Sequence, residues 1–175
     1  FTVTYNYYGG IAPEGSVGNA RLIFGEHYTL EIPVPSDATL VFGGWYQEPG
    51  GQGNRYTDEL GNSLAVWNTA NDDTTVYAYW IEALAFREST NGAYAVLKGP
   101  DINQVKNLII PVSYNGRPVS YIDSGAFSGC SSLVTVEIPD TIVQVGATGA
   151  TPFNECGNLE EINIYHVEGN NLIVY

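Results

Sequence analysis

Positive charge is scarce in this chain. Its 175 residues include only 6 lysines and arginines against 19 aspartates and glutamates, which gives a net charge of −13 at pH 7. Nucleic acids and anionic membrane surfaces are bound through clusters of basic side chains, so the composition argues against both as partners. No stretch reaches the roughly 20 apolar residues of a membrane-spanning helix. We therefore predict no membrane insertion within the chain.

Methionine is absent, and the chain starts at Phe1. We expect it to be a processed or trimmed piece, so the lack of a signal peptide carries no information. The two cysteines, Cys130 and Cys156, decide little by themselves. The two histidines, His27 and His166, are isolated in the sequence. We predict no metal site, because tetrahedral sites need more ligands than these residues supply.

A catalytic constellation is also missing. No arrangement of serine, histidine and aspartate, or of cysteine and histidine, indicates nucleophilic catalysis. The glycine-rich segment 43–53 leads into no helix, so it does not match a phosphate-binding loop. Glu160 and Glu161 are neighbours in a predicted strand and point to opposite faces, so they cannot form an acid–base pair. We predict a protein that is not an enzyme and uses no cofactor.

What the chain does contain is an internal repeat. The segments 126–139 and 152–165 match at an offset of 26, and a partial copy at 108–111 matches the first at an offset of 28. The matched pairs include Phe127 with Phe153, Cys130 with Cys156, Leu133 with Leu159, Val136 with Ile162, and Ile138 with Ile164. A period of 26–28 residues is typical of a solenoid, in which each turn buries its apolar face against its neighbours.

The repeat assigns each strand residue to one of two faces. The residues predicted to point into the solenoid are Leu133, Val136, Ile138, Leu159, Ile162 and Ile164. Strand alternation then places a second set outside, as a candidate protein-binding face: Asn107, Ile109, Thr135, Glu137, Glu161 and Asn163. Cys130 and Cys156 would lie on neighbouring turns about 4.8 Å apart. That spacing allows a disulfide, while two buried free thiols satisfy the pattern equally well.

The first 80 residues show strands instead of repeats. Strict alternation at 1–8 predicts a half-buried strand. Further strands are predicted within 39–53, where a glycine-rich turn follows the strand, and at 74–80. Residues 51–63 are polar and are predicted to form a loop. Residues 81–98 alternate on both sides of Asn91-Gly92, which predicts a β-hairpin.

Four blocks in this region carry a resemblance. They are FTVTYNYYGG at the start, FGEHYTL in the middle, FGGWY at 42–46 and DTTVYAYW at 73–80. In order and spacing they resemble the Listeria–Bacteroides repeat, the B repeat of listerial internalins, although the 51–63 loop is longer. The resemblance implies a small β-grasp-like module at 1–81, of a kind found in tandem on bacterial surface proteins.

The aromatic residues of this module have two interpretations. Trp45 and Trp80 are expected to form its core, because tryptophan buries a large area in small domains. Tyr46, Tyr56 and Trp67 flank loops instead. They are candidates for an exposed aromatic platform that binds glycans.

The second half resembles the BspA-like leucine-rich repeat. Its pattern joins a short strand ending in Ile-Pro to an Ile-x-x-x-Ala-Phe-x-x-Cys-x-x-Leu turn. The matching residues are Ile110-Pro111, Ile122, Ala126-Phe127, Cys130 and Leu133. The second copy departs from the pattern, with Pro152 in place of Ala126 after a three-residue lengthening. The resemblance implies a hairpin and truncated repeat array at 82–175.

We therefore expect a mainly β chain, or β-rich α+β, with a β-grasp-like module followed by the start of a leucine-rich repeat solenoid. By resemblance, it is a piece of a secreted or wall-attached bacterial surface protein. It would bind a host or neighbouring-cell surface protein through the exposed sheet face, without catalysis. Two alternatives remain open at this point: a structural stalk, or a glycan-binding module that uses the exposed aromatics.

Overall fold

The computed structural model describes residues 1–89, 91–146, 151–168 and 171–174, and of 167–168 and 171–174 it describes the backbone alone. The described residues are nearly all β, which confirms the predicted fold class. The helical elements among them are two 3-10 turns, Pro49–Gly51 and Ile102–Gln104. The described part contains no helix long and apolar enough to cross a membrane. The chain forms two compact units, unit 1 (Phe1–Ile81) and unit 2 (Glu82–Tyr175).

Unit 1 is built on a five-stranded sheet. Its strands are β1 (Thr2–Asn6), β2 (Asn19–Arg21), β3 (Leu40–Glu48), β4 (Gln52–Arg55) and β5 (Thr74–Glu82), in the order β2-β1-β5-β3-β4. The predicted alternation of β1 is confirmed, because Val3 and Tyr5 are buried while Thr4 and Asn6 are exposed. The prediction of a loop at 51–63 is wrong for β4, which pairs antiparallel with β3.

The core of unit 1 surrounds Trp45, which is fully buried. Tyr5 stacks on its ring with 4.8 Å between centroids, and Phe42 meets the ring edge-on at 5.6 Å. The indole Nε1 donates a hydrogen bond to the carbonyl oxygen of Glu31 at 2.8 Å, so its polar group is satisfied inside the core. The expectation that Trp45 is a core residue is confirmed.

Unit 2 begins with the predicted hairpin. Strands β6 (Leu84–Glu88) and β7 (Tyr94–Lys98) pair antiparallel over five residues. Of the connecting turn, Thr90 lies outside the described residues. Strand β10 (Arg117–Ile122) adds to β7 in parallel and is flanked by two short strands, β9 (Ser113–Tyr114) and β12 (Gln144–Val145).

A second sheet of unit 2 carries the repeat. Its strands are β8 (Asn107–Ile109), β11 (Thr135–Pro139), β13 (Glu161–Glu168) and β14 (Asn171–Val174), in the order β14-β13-β11-β8. β11 is parallel to β8 with pairs 28 residues apart, and parallel to β13 with pairs 26 residues apart. These are the two offsets found in the sequence. After β13 the chain turns back into β14, which is antiparallel to β13.

The turns between these strands stack in the same register. The rings of Phe127 and Phe153 lie 5.4 Å apart and nearly parallel, with 7° between their planes. The backbone N–H of Phe127 donates to the Pro152 carbonyl at 2.8 Å, and the Asn158 side chain donates to the Ser131 carbonyl at 2.7 Å. The two copies of the repeat are therefore joined directly, turn upon turn.

The prediction that both copies bury their strand residues is right for the first copy and wrong for the second. Val136 is fully buried and Ile138 is 8% exposed. Their counterparts Ile162 and Ile164 are 49% and 62% exposed. The register gives both pairs the same orientation, so the difference arises from what packs against them, and no described residue covers the second pair to the same extent.

Candidate functional site

The six residues predicted for the exposed face form two rows across the three parallel strands. Strand pairing aligns Asn107 with Thr135 and Glu161 in one row, and Ile109 with Glu137 and Asn163 in the other. Ile109 is 52% exposed, Glu161 is exposed, and the other four are half-buried. We call this surface the ladder face.

Hydrogen bonds between side chains tie each row together. Thr135 Oγ1 donates to Asn107 Oδ1 at 2.7 Å, which links the first two strands. Asn163 Nδ2 donates to Glu137 Oε1 at 3.0 Å, which links the second strand to the third. Because each bond joins residues aligned by the repeat, the ladder face is fixed by its own side chains as well as by the backbone.

Glu137 occupies the centre of the ladder face. Its Oε1 is occupied by Asn163, while its Oε2 is enclosed and has no hydrogen-bond partner among the described residues. An enclosed acceptor without a donor costs about 1–3 kcal/mol. Glu137 therefore retains an unmet capacity to accept a hydrogen bond.

Tyr165 closes one end of the ladder face. By alternation it shares the face of Glu161 and Asn163, but it is only 3% exposed. Its hydroxyl donates across β11 to the carbonyl oxygen of Ile110. Burial raises the pKa of Tyr165 to about 12, and the nearby Asp140 and Glu137 add to the effect. The hydroxyl is thus a neutral structural donor.

The aromatic residues predicted to bind glycans do not form one platform. Trp67 is 1% exposed, which corrects the prediction that it faces solvent. Its ring packs against Tyr28 at 5.7 Å and against the half-buried Tyr56 at 5.5 Å. The physical reason is that the segment around Trp67 folds back onto the core, where its backbone N–H donates to the Glu26 carbonyl at 2.9 Å. A ring enclosed in this way offers no face to a sugar.

Tyr46 lies apart from the other two. It follows the buried Trp45 on β3 and so points to the opposite face of the sheet. There its ring meets the edge of Tyr79 at 5.4 Å, and the guanidinium of Arg55 lies 5.9 Å from its centroid.

A different set of aromatic side chains does share one groove. Tyr8, Tyr79 and Trp80 line a groove of about 240 Å³ in unit 1, which we call the aromatic groove. The sequence assigned Trp80 to the core and gave no role to the other two. The available signal was Tyr8 itself, a bulky residue directly before Gly9-Gly10, where a tight turn brings its ring to the surface.

The two cysteines of the repeat are the other candidate reactive groups among the described residues. Cys130 and Cys156 are free thiols, and Cys156 Sγ lies 3.1 Å from the Phe127 carbonyl oxygen. Burial raises the pKa of Cys130, which makes its thiolate less accessible. Among the described residues no group of three or more His, Cys, Asp or Glu side chains is placed to hold a metal ion.

No protein-family model matches the chain, and no curated protein matches it. It is similar to the crystal structure of a T. pallidum leucine-rich repeat protein, with 23% identity and a TM-score of 0.38 over 45% of this chain. It is also similar to a leucine-rich cell surface protein from Faecalibacterium prausnitzii A2-165, with 22% identity and a TM-score of 0.38 over 51% of this chain. The chain spans 35% and 23% of the lengths of these two structures.

Proposed function

We propose that the chain is a non-catalytic recognition fragment of a bacterial surface or secreted protein, which binds another protein through the ladder face. The observation that carries the proposal is the alignment of six side chains in two rows across three parallel strands. Solenoids present such aligned positions as an extended binding surface. In this proposal unit 1 is an internalin B-type, β-grasp-like module, and unit 2 opens a BspA-like array.

The chemistry of the ladder face defines the partner. Glu161 is exposed and carries a carboxylate on the ladder face, so the face calls for N–H groups and positive charge. Unit 2 as a whole has ten acidic residues against four basic ones. Ile109, which is 52% exposed, supplies an apolar contact between the polar positions. We infer a basic protein surface on a host or neighbouring cell, held by charge-assisted hydrogen bonds around one apolar anchor.

The test measures binding of the chain to immobilised extracellular-matrix proteins and mucin by biolayer interferometry. The variant Ile109→Lys/Glu161→Lys places two positive charges on the ladder face at exposed positions, so its fold is expected to survive. We expect saturable binding by the native chain and at least a tenfold loss in the variant. Binding should also weaken as salt rises, since exposed charges are screened.

The matched control is Ile23→Lys/Glu14→Lys. It makes the same two changes in unit 1, where Ile23 is 68% exposed and Glu14 is exposed. Equal losses in the two double variants would show that net charge, and not the ladder face, determines binding. A folded native chain that binds none of the probes would overturn the proposal in favour of a structural spacer.

A further inference from the structure

The aromatic groove has the features of a small built site. Its aromatic lining residues are Tyr8, Tyr79 and Trp80, and Leu40, Ser36 and two glycines complete the lining. A concave, mainly apolar lining with a few polar groups is the usual make-up of small-ligand sites. At about 240 Å³ the groove is below the size of a drug-sized pocket, so it suits a single ring.

Tyr8 is held in a backbone conformation that aromatic residues avoid. Its φ is +45°, in the left-handed region, and Gly9 follows at +91°. The turn is closed by Gly10 N–H donating to the Tyr7 carbonyl at 2.9 Å, and Asn6 Oδ1 accepts from the N–H of Tyr8 at 3.0 Å. Glycine or asparagine fits such a position far better. A strained tyrosine that is still 52% exposed indicates that the exposed ring has a use.

The same turn positions Trp80. The indole Nε1 donates to the carbonyl oxygen of Tyr7 at 2.9 Å, and the ring lies directly on Gly10, where any Cβ atom would overlap it. Phe42 contacts the ring from the core side at 5.8 Å. One turn therefore fixes Trp80 and the backbone of Tyr8 before any ligand arrives, and such preorganisation lowers the entropic cost of binding.

Tyr79 is the third aromatic residue of the lining; it follows a constrained path as well, and as the neighbour of Trp80 on β5 it borders the groove and does not face Trp80 across it. Its ring lies against Gly51, where a Cβ atom would come within 2.9 Å, and it meets the ring of Tyr46 at 5.4 Å. The rings of Trp80 and Tyr79 are thus held by packing, and Tyr8 is held through its backbone turn.

We propose that the aromatic groove binds one ring of a neutral oligosaccharide. Aromatic faces pack against the C–H faces of a sugar ring, and the Ser36 hydroxyl and nearby backbone groups can bond its hydroxyls. The lining holds no carboxylate, ammonium or guanidinium group, and unit 1 has nine acidic residues against two basic ones, so an anionic sugar is disfavoured. A proline-rich peptide would need a groove several residues long.

The experiment titrates the full chain with neutral tetrasaccharides of glucose, mannose, galactose and N-acetylglucosamine, and with sialylated and sulfated oligosaccharides. Tryptophan fluorescence is a direct readout, because Trp45 and Trp67 are buried and Trp80 alone of the three lines the groove. Isothermal titration calorimetry supplies the dissociation constant. We expect saturation with at least one neutral tetrasaccharide and none with the acidic ones.

Tyr8→Gly is the decisive variant. It removes the ring and relieves the positive φ, so the chain is expected to fold normally and to bind the same sugar at least tenfold more weakly. Phe24→Ala is the matched control, since it removes a ring of similar exposure, 56%, elsewhere in unit 1, and should leave binding unchanged.

Three results would overturn the proposal. They are a folded chain that binds no neutral tetrasaccharide, a dissociation constant unchanged by Tyr8→Gly, and saturable binding of a sialylated or sulfated oligosaccharide in place of the neutral ones. The proposal does not depend on the ladder face, because the Ile109→Lys/Glu161→Lys variant should bind the sugar as the native chain does.

Discussion

The two units bury their apolar side chains in different ways. Unit 1 gathers residues from distant parts of the chain around a single ring, so that Tyr5, Phe42 and the Glu31 carbonyl all contact Trp45. Unit 2 buries the strand residues of each turn against the next turn, as Val136 and Ile138 show. The core of unit 1 is therefore arranged around one residue. In the repeat array of unit 2, the burial of equivalent side chains changes from one repeat to the next.

The difference teaches what a side chain's burial depends on. In unit 1 we expect the contribution of a residue to the free energy of unfolding to depend on its distance from Trp45. In unit 2 identical residues at equivalent positions contribute differently, because cover comes from the neighbouring turn and not from the repeat itself. Ile138 and Ile164 are aligned by strand pairing yet are 8% and 62% exposed.

The largest loss of stability is expected when the central residue of the unit 1 core is replaced. Trp45→Ala deletes a fully buried ring and three aromatic contacts, and should lower the free energy of unfolding of unit 1 by about 3–5 kcal/mol. Urea unfolding followed by the fluorescence of the remaining two tryptophans measures it, because all three tryptophans of the chain lie in unit 1.

Tyr46→Ala is the control for that measurement. Tyr46 is the next residue on β3, but it is half-buried on the opposite face, so its loss should cost clearly less than that of Trp45. Equal costs for the two variants would contradict the idea that unit 1 is organised around one ring.

The next effect separates the two copies of the repeat. Ile138→Ala should cost about 2–4 kcal/mol, since Ile138 is buried between turns. Ile164→Ala makes the same change 26 residues later and should cost less than about 1 kcal/mol, because most of that side chain is already in water. Far-UV circular dichroism during urea unfolding measures both. Equal losses would show that Ile164 is covered in solution as fully as Ile138.

The strand register of unit 2 could be predicted from the sequence, because the offset between repeat copies is also the offset between paired strand residues. Offsets of 26 and 28 in the sequence return as strand pairs. It did not predict the exposure of Ile162 and Ile164, because a repeat specifies where a residue points and not what packs against it. The same limit applies to Glu137, whose second oxygen is enclosed on a face predicted to be open.

In unit 1 the sequence located strands better than sites. Trp45 sits in an alternating strand, so its burial could be inferred, whereas Trp67 lies outside the strands and has no periodic pattern to read. Tyr8, Tyr79 and Trp80 come together only through the turn after β1 and the end of β5. Such a groove depends on long-range packing, which local patterns do not record.

Alkaline pH is expected to distinguish the units again. Burial raises the pKa of both Tyr5 and Tyr28 in unit 1 to about 12, and that of Tyr165 in unit 2 to about 12. The unfolded chain releases these protons near pH 10 and the folded chain keeps them, so stability is constant below pH 10 and falls as the pH rises to 12. A pKa raised from 10 to about 12 is worth at most about 2.7 kcal/mol of stability, and solvent around these partly buried hydroxyls screens much of that. Unit 1, with two such groups, should therefore lose on the order of 2 kcal/mol.

Variants in which tyrosine is replaced by phenylalanine identify the side chains that cause this loss of stability. Tyr5→Phe and Tyr28→Phe should each flatten the pH dependence measured by tryptophan fluorescence, while Tyr165→Phe should leave the fluorescence profile unchanged. A fluorescence-detected loss that persists in the double variant Tyr5→Phe/Tyr28→Phe would show that these two side chains are not its source.

The smallest loss of stability is expected at acidic pH, in unit 2. The Arg87 guanidinium donates two hydrogen bonds to Asp123 Oδ2, at 2.7 and 2.9 Å, and holds the pKa of Asp123 below its usual value. That stability is present above the ordinary pKa of aspartate, near 4, and is lost as the pH falls through the lowered value. Because Arg87 is 62% exposed, the loss should stay below about 1 kcal/mol.

Arg87→Gln should remove this pH dependence in circular dichroism melts between pH 5 and pH 2, while Lys106→Gln, which deletes the same charge elsewhere in unit 2, should retain it. If both variants kept it, the Arg87–Asp123 pair would contribute nothing to the stability of unit 2.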